Sequence, residues 1–472
     1  MRLLSIVVMG LTMVAGPAGS WSGSHDVPGV GGDWSILSAM SCTAPGNCTA
    51  GGEYGWDEPY TQGTGFVVSE AGGVWGKAAD VPGISELNGS QYAAVTGLSC
   101  AGPGNCAAAG YYLPAAGATT GQAFVADEVG GSWRPAHPLP GMTEPFANFA
   151  AGNPWTIAVS CAPATTAPAG RQGLSCAAAG SYATSAGPVA FVADSSGGTW
   201  GAPHPVPGLV LLGDDYADSH VLAVSCPAPG ACAIGGSYID DDKQAQAFAA
   251  NEAHGRWSAA TPIPGTAAPD GGGLAQLDSL DCPAAGYCTA AGEYTPPAGP
   301  AALFVVNEAG GEWHRAIELP GSAALDRDGG SIAQVSCAAT SCAVGGTLTT
   351  VANGTRGFIA GETRGKWGAL HLVGGTLTSV TALSCPVAGQ CAAGGTAAAT
   401  LYSPASGIVV DQVNGSWGRP QTVAPGDGIS ASITALSCAA ARACAAGARL
   451  PEGWSGGPWA AIATEAPRPS PR

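Results

Sequence analysis

The chain has 472 residues, 46% of them apolar and only 10% charged, and its formal net charge is −17. That acidity argues against nucleic-acid phosphates and anionic membrane surfaces, which reward Lys and Arg. The apolar residues recur in register with Trp and Cys, which argues against a Gly/Pro-rich disordered chain.

Residues 1–20 read as a secretory signal. Arg2 supplies a positive n-region, and Leu3 to Ala15 is apolar but too short to span a bilayer. Small residues from Gly16 to Ser20 offer cleavage after Ala18 or Ser20. The competing reading of Met13 to Trp21 is a degenerate repeat strand. No other stretch is long and apolar enough for a transmembrane segment.

Eight close cysteine pairs follow: Cys42/Cys48, Cys100/Cys106, Cys161/Cys176, Cys226/Cys232, Cys282/Cys288, Cys337/Cys342, Cys385/Cys391 and Cys438/Cys444. An even count in local pairs within an exported chain reads as disulfides. Zinc would need histidine partners at a fixed offset, and the seven histidines keep none.

The pairs mark a repeat of about 57 residues. Each unit opens with an alternating apolar run ending in Ser-Cys, with Asp281 replacing Ser in one unit. A Pro/Gly turn leads to the second Cys, and a Gly usually stands four residues later. Two strands with a Cys at each edge of their turn predict a hairpin bridged across the strands. A third apolar run follows, then a turn that is usually Glu-x-x-Gly-x-Trp. A fourth segment starts at that Trp and usually ends seven residues later at Pro-Gly. Four antiparallel strands repeated eight times predict an all-β, eight-bladed β-propeller over residues 21–466, with seven blades the alternative and 467–472 a Pro-rich tail.

The last unit lacks its fourth segment, while Trp21 stands seven residues before Pro28-Gly29. The N-terminal strand is therefore expected to complete the C-terminal blade and close the ring, which removes free sheet edges.

The turn resembles the Asp-box of sialidase-type propellers, Ser-x-Asp-x-Gly-x-x-Trp, most closely in DSSGGTW from Asp194 to Trp200. The whole unit resembles the Cys-paired repeats of secreted actinobacterial proteins. The resemblance implies a structural turn, pinned by its acid and Gly, with the Trp packed between blades. It supports fold more than activity. A sialidase needs three clustered arginines and a Tyr nucleophile with an acid partner. Arg134, Arg315 and Arg419 instead follow the Trp and Arg256 directly precedes it, and only Arg327, Arg356 and Arg449 fall in loops of the other face.

Function is expected on the face that carries the variable loops, opposite the Cys hairpin turns. Asp214, Asp215 and Asp218 enter the fourth blade, and Asp240, Asp241 and Asp242 lie in its next variable loop. Clustered carboxylates can ligate calcium, the one cofactor the sequence raises. Trp56, Asp57, Glu58, Tyr60, Tyr112, Trp155, Tyr216 and Trp454 lie in or beside the variable loops. Flat aromatics beside carboxylates suit sugar rings. The reading is a monomeric, secreted or cell-envelope propeller that binds a polysaccharide or a protein without catalysis. The alternative is an extracellular glycoside hydrolase or lyase working at the channel mouth, which requires convergent carboxylates with perturbed pKa.

Overall fold

The computed structural model describes residues 20–56, 62–89, 91–115, 118, 120–142, 147–148, 157–162, 173–184, 187–212, 219–266, 274–295, 301–322, 326–339, 341–350, 354–374, 377–400, 403–425, 430–450 and 459–466. They form eight small antiparallel sheets in a ring. The inner strands of blades 1 to 8 are Trp34–Ala44, Ala93–Gly102, Ala158–Ala162, Ser219–Ala228, Leu274–Ala284, Asp326–Ala338, Leu377–Val387 and Ser432–Ala440. Each continues through a second and a third strand. The fourth is broken into short pieces, as in Val74–Trp75 and Ala79–Asp80 of blade 1, which both pair with Gly63–Ala71. Prolines such as Pro138, Pro205 and Pro262 sit in these outer pieces, where an edge tolerates a missing N–H.

The ring closes as the sequence predicts. Ser20 and Trp21 pair with Ala466 and Glu465, and His25 and Asp26 pair with Ile462 and Ala461, all in the C-terminal blade. Pairing begins at Ser20, the last residue of the expected leader. Residues 1–19 lie outside the described part.

All eight expected disulfides form: Cys42–Cys48, Cys100–Cys106, Cys161–Cys176, Cys226–Cys232, Cys282–Cys288, Cys337–Cys342, Cys385–Cys391 and Cys438–Cys444. No cysteine is left over as a metal ligand. The second cysteine of each pair is buried: Cys48, Cys106, Cys176, Cys232, Cys288, Cys342, Cys391 and Cys444. The reason is position in the sheet. The second strand is flanked by the first and third, and neighbouring blades pack against its faces. Two of these sulfurs meet the blade before them. Cys106 Sγ lies 3.5 Å from the Thr49 hydroxyl oxygen, and Cys342 Sγ lies 3.1 Å from that of Thr289. These cysteines are packing groups, and none belongs to the loop face on which binding is expected.

The first cysteines join neighbouring blades. Cα–Cα distances across the bridges lie between 3.9 and 4.1 Å. Such short separations belong to the non-hydrogen-bonded pairs of an antiparallel ladder. The first Cys of each pair therefore keeps its N–H free of its own hairpin. That N–H donates to the residue before the Cys in the preceding blade. Cys42 donates to Ser437, Cys100 to Ser41, Cys161 to Ser99 and Cys226 to Ser160. Cys282 donates to Ser225, Cys337 to Asp281, Cys385 to Ser336 and Cys438 to Ser384. The repeated Ser-Cys is thus a seam between blades, complete around the ring. Asp281 can replace Ser because its carboxylate accepts both from Cys337 N–H and from the Ser225 hydroxyl.

A second feature explains the repeated Gly. Inner strands carry a bulge, for example between Val221 and Ala223 and between Leu277 and Ser279. The bulge brings a carbonyl against the facing second strand. A Cβ at Gly236 would overlap the His220 carbonyl oxygen, and one at Gly292 that of Gln276. Buried Phe248 and Phe304 pair opposite these glycines on the third strand.

The outer Trp is held across blades. Trp200, Trp257 and Trp21 donate from Nε1 to Asp127, Asp194 and Asp411 of the preceding blade, and Trp313 donates to Asn251. The acceptor is the residue before the expected Glu position. In DSSGGTW that residue is Asp194, the acid of the turn. The following Glu is buried in most blades. Its partner is the same preceding-blade residue. Where that residue is Asn, the Glu accepts its amide: Asn251 donates to Glu308 and Asn307 to Glu362. Where it is Asp194 or Asp411, two carboxyls face each other. Burial first, then the charge of Asp194, pushes Glu252 up to about 7. Burial and Asp411 do the same to Glu465, opposed by Arg442.

This packing can be tested at the Gly and at the facing carboxyls. Gly236→Ala is expected to cost at least roughly 1–3 kcal/mol, because a backbone oxygen cannot yield as a side chain can. Thermal unfolding of the oxidised protein checks it, and an unchanged Tm contradicts the bulge. The carboxyls make stability depend on pH. Glu252 and Glu465 hold protons in the folded state that the unfolded chain releases above its ordinary carboxyl range. Their contribution is complete below pH 4.5 and is lost as pH rises through about 7. Tm is expected to fall from pH 5 to pH 8 at constant ionic strength. Glu252→Gln is expected to raise Tm at pH 8 and leave it nearly unchanged at pH 5. Equal effects at both pH values contradict the facing-carboxyl reading.

Candidate functional site

The Cys hairpin turns and the Gly-x-Trp turns share one face, as expected. Within blades they touch directly: Gly73 N–H donates to Gly46, Gly131 to Gly104 and Gly255 to Gly230. The loops between second and third strands, and between blades, open on the other face.

On that loop face, blade 1 presents an aromatic surface. Trp56 follows the second strand, Asn47–Gly55, and is 52% exposed. It meets Tyr54 edge-on, with ring centroids 5.3 Å apart and planes at 72°. Tyr54 also packs on Phe66 with centroids 6.2 Å apart. The Tyr54 hydroxyl donates to Asp80 Oδ1 at 2.6 Å. Burial and the Asp80 carboxylate both raise the Tyr54 pKa, so the phenol stays a donor. The result is an exposed indole on a fixed, hydrogen-bonded base beside an exposed carboxylate. Tyr54 and Asp80 are not among the sequence candidates. Tyr54 is visible there only as one of five tyrosines two residues after the repeated Gly.

The other candidates divide. Tyr112 is 3% exposed and donates to Gln122 Oε1, so it is a core residue and not part of a binding surface. Asp57, Glu58, Tyr60, Trp155, Tyr216 and Trp454 lie outside the described residues, as do Asp214, Asp215 and Asp218. Asp240 is described and works within its own turn. Its Oδ1 accepts from the N–H of Asp242 and Gln244, and its Oδ2 accepts from Gln246. Among the described residues no three His, Cys, Asp or Glu side chains come together to hold a metal ion.

Two acid clusters have pKa values in a range suited to proton transfer. Glu53, between blades 1 and 2, accepts the Tyr92 hydroxyl. Burial pushes it up to about 7, against the lowering effect of that bond. Tyr92 stacks on Trp34 at 6.3 Å and lies 5.8 Å from Tyr111. Both tyrosines are held protonated by burial and by Glu53. In blade 5, Asp278 sits at an inner-strand bulge. Burial and the charge of Glu293 push it up to about 7, while Gln276 and the Ile332 N–H lower it. Glu53 and Glu293 occupy equivalent Gly-Glu-Tyr positions four blades apart, on opposite sides of an eight-membered ring. The two clusters therefore do not converge on one reacting atom. Tyr92 and Trp34 are buried as well, which closes the first cluster to a large substrate.

No helix among the described residues is long and apolar enough to cross a membrane. The eight disulfides fit an oxidising, extracellular environment.

No protein-family model and no curated sequence matches this chain. Similar solved structures include two lectins and a sialidase. The BP39L lectin from Burkholderia pseudomallei is 13% identical, with 83% of this chain and 99% of that one covered at a TM-score of 0.46. A Hadza microbial sialidase is 10% identical, covering 87% and 74% at a TM-score of 0.38. The fucose-specific lectin from Aleuria aurantia is 12% identical, covering 70% and 96% at a TM-score of 0.35. Likeness at this distance concerns architecture and leaves the choice of activity to the site itself.

Proposed function

We propose that this protein is a secreted, non-catalytic propeller that binds a polysaccharide on the loop face of blade 1. The exposure of Trp56 on its braced base is the observation that carries this reading. A large aromatic held half out of water, with a rigid partner beneath it, gains contact area without losing side-chain freedom on binding. An indole face suits the apolar face of a sugar ring, and Asp80 offers an acceptor for ring hydroxyls. The eight disulfides and the apolar leader support export. Asp240 is hydrogen-bonded within its own turn, and the reading does not depend on calcium.

A hydrolase is the second reading, favoured by Glu53 at about 7. A general acid or base works best near the operating pH. Its burial against Tyr92 and Trp34 sets it behind the binding reading.

Retention of the oxidised protein on a panel of insoluble polysaccharides, with soluble products recorded together, separates the two. Retention without product is expected. Trp56→Ala is expected to weaken it about tenfold, the equivalent of about 1.4 kcal/mol. Chelator is expected to leave retention unchanged. Released sugar that disappears in Glu53→Gln would establish the hydrolase instead. Retention indifferent to Trp56→Ala would remove the platform.

A further inference from the structure

Cavities open between successive blades on the disulfide face, away from Trp56. The one between blades 4 and 5 has a volume of 420 Å³ and is walled by Pro227, Pro229, Ala285 and the Cys282–Cys288 bridge. The one between blades 5 and 6 has a volume of 400 Å³ and is walled by Pro283, Ala284 and Tyr287.

Both contain the same pair of side chains. Asn251 donates from Nδ2 to Glu308 Oε1 at 2.9 Å, and Asn307 donates to Glu362 Oε1 at 2.7 Å. The amides have little left to offer. Asn251 also donates to the Gly311 carbonyl and accepts from Trp313 Nε1, while Asn307 Oδ1 accepts from Thr289. Each carboxylate thus has one oxygen engaged and its Oε2 without a hydrogen bond to any described residue. Glu308 is 4% exposed and Glu362 6%. Neither Oε2 is among the fully buried unpaired atoms, so each is open to its cavity, where a donor, best of all a cation, can complete it. No Lys or Arg lines either cavity.

The complementary ligand is a charged donor on an apolar stem. A sugar ring would bring several hydroxyls to walls made largely of Pro, Ala, Gly and disulfide sulfur. An alkylammonium brings one charged donor for Oε2 and methylenes for the walls. We propose that these two cavities bind primary alkylammonium groups, carried by a diamine or by a lysine side chain. The cavity between blades 6 and 7 is an internal control. It measures 260 Å³, and Gly361 and Gln412 stand where the Asn–Glu pair would be, so the pair is missing there.

The test is calorimetric titration of the full-length oxidised protein with 1,5-diaminopentane at about physiological salt, with 1-pentanol as the uncharged control. Saturable diamine binding at two sites and no pentanol binding are expected. Glu308→Gln and Glu362→Gln should each remove one site, and the double variant should lose at least tenfold in affinity. Gln still accepts the Asn amide, so an unchanged Tm will show that these variants fold. A lysine-containing blocked peptide forms the second arm. Binding of diamine alone assigns a free amine, and binding of both assigns lysines of a basic partner. Absence of saturable binding, or binding undiminished in the double variant, overturns the proposal. Trp56→Ala should leave this titration unchanged, so failure here and failure of the polysaccharide reading are separately visible.

Discussion

The rest of this structure depends on one hydrogen bond made eight times, from the N–H of a bridged Cys to the residue before the Cys of the preceding blade. A four-stranded sheet has an inner edge whose N–H and C=O groups have no partner in their own blade. The Ser-Cys dipeptide meets that need with two adjacent residues. The disulfide holds the hairpin at a close-paired position, which turns the Cys N–H outward. The preceding Ser faces the next blade and accepts it. Each bond alone contributes about 1 kcal/mol. A closed ring makes them interdependent, since releasing one blade exposes both of its neighbours.

Outside this seam the blades meet through a second layer of polar pairs, and there the repeat is uneven. Where Asn stands before the Glu, its amide donates to the Glu of the next blade, and at Asn251 a Trp joins them in one chain. Where Asp194 or Asp411 stands there, a Trp is still held, but two carboxyls must share a small, poorly hydrated space. The N-terminal strand uses the second version: Trp21 reaches Asp411 beside Glu465. The closure of the ring is thereby coupled to protonation, and an acidic medium favours it.

Much of this architecture is readable from the sequence. The Cys spacing gives the period and the pairing, the alternating runs give the strands, and Trp21 before Pro28-Gly29 announces the closing strand. The burial of the second cysteine of every pair is not readable, because it depends on which strand lies inside the sheet. Nor is the bulge, because no residue type marks it; only the Gly opposite betrays that something crowds the strand. The identity of the Trp acceptor is obscured because Asp, Asn, Ser, Gly and Thr all occupy that position, while the less informative Glu repeats. The site is legible in part. Trp56 stands out in a loop, whereas its supports are ordinary repeat residues whose meaning depends on which strand faces which. Tyr112 looks equivalent to Tyr54 by spacing, yet one hydroxyl is spent on Gln122 inside the core and the other on Asp80 at the surface. That Asp240 closes a turn is not legible either, because its carboxylate accepts from residues two to six positions later. The Glu53–Tyr92 contact joins different blades, so no local pattern reveals it.

Amide hydrogen exchange of the eight seam cysteines tests the account most directly. Cys42 is the residue to follow, because its N–H crosses from blade 1 to Ser437 of blade 8, the closure of the ring. The account predicts that Cys42 exchanges as slowly as Cys100, Cys226 and Cys385. It also predicts that Ser437→Ala accelerates Cys42 well ahead of the other seven. A Cys42 amide that exchanges rapidly in the unmodified protein, while the others remain protected, would mean an open ring and would contradict the central claim.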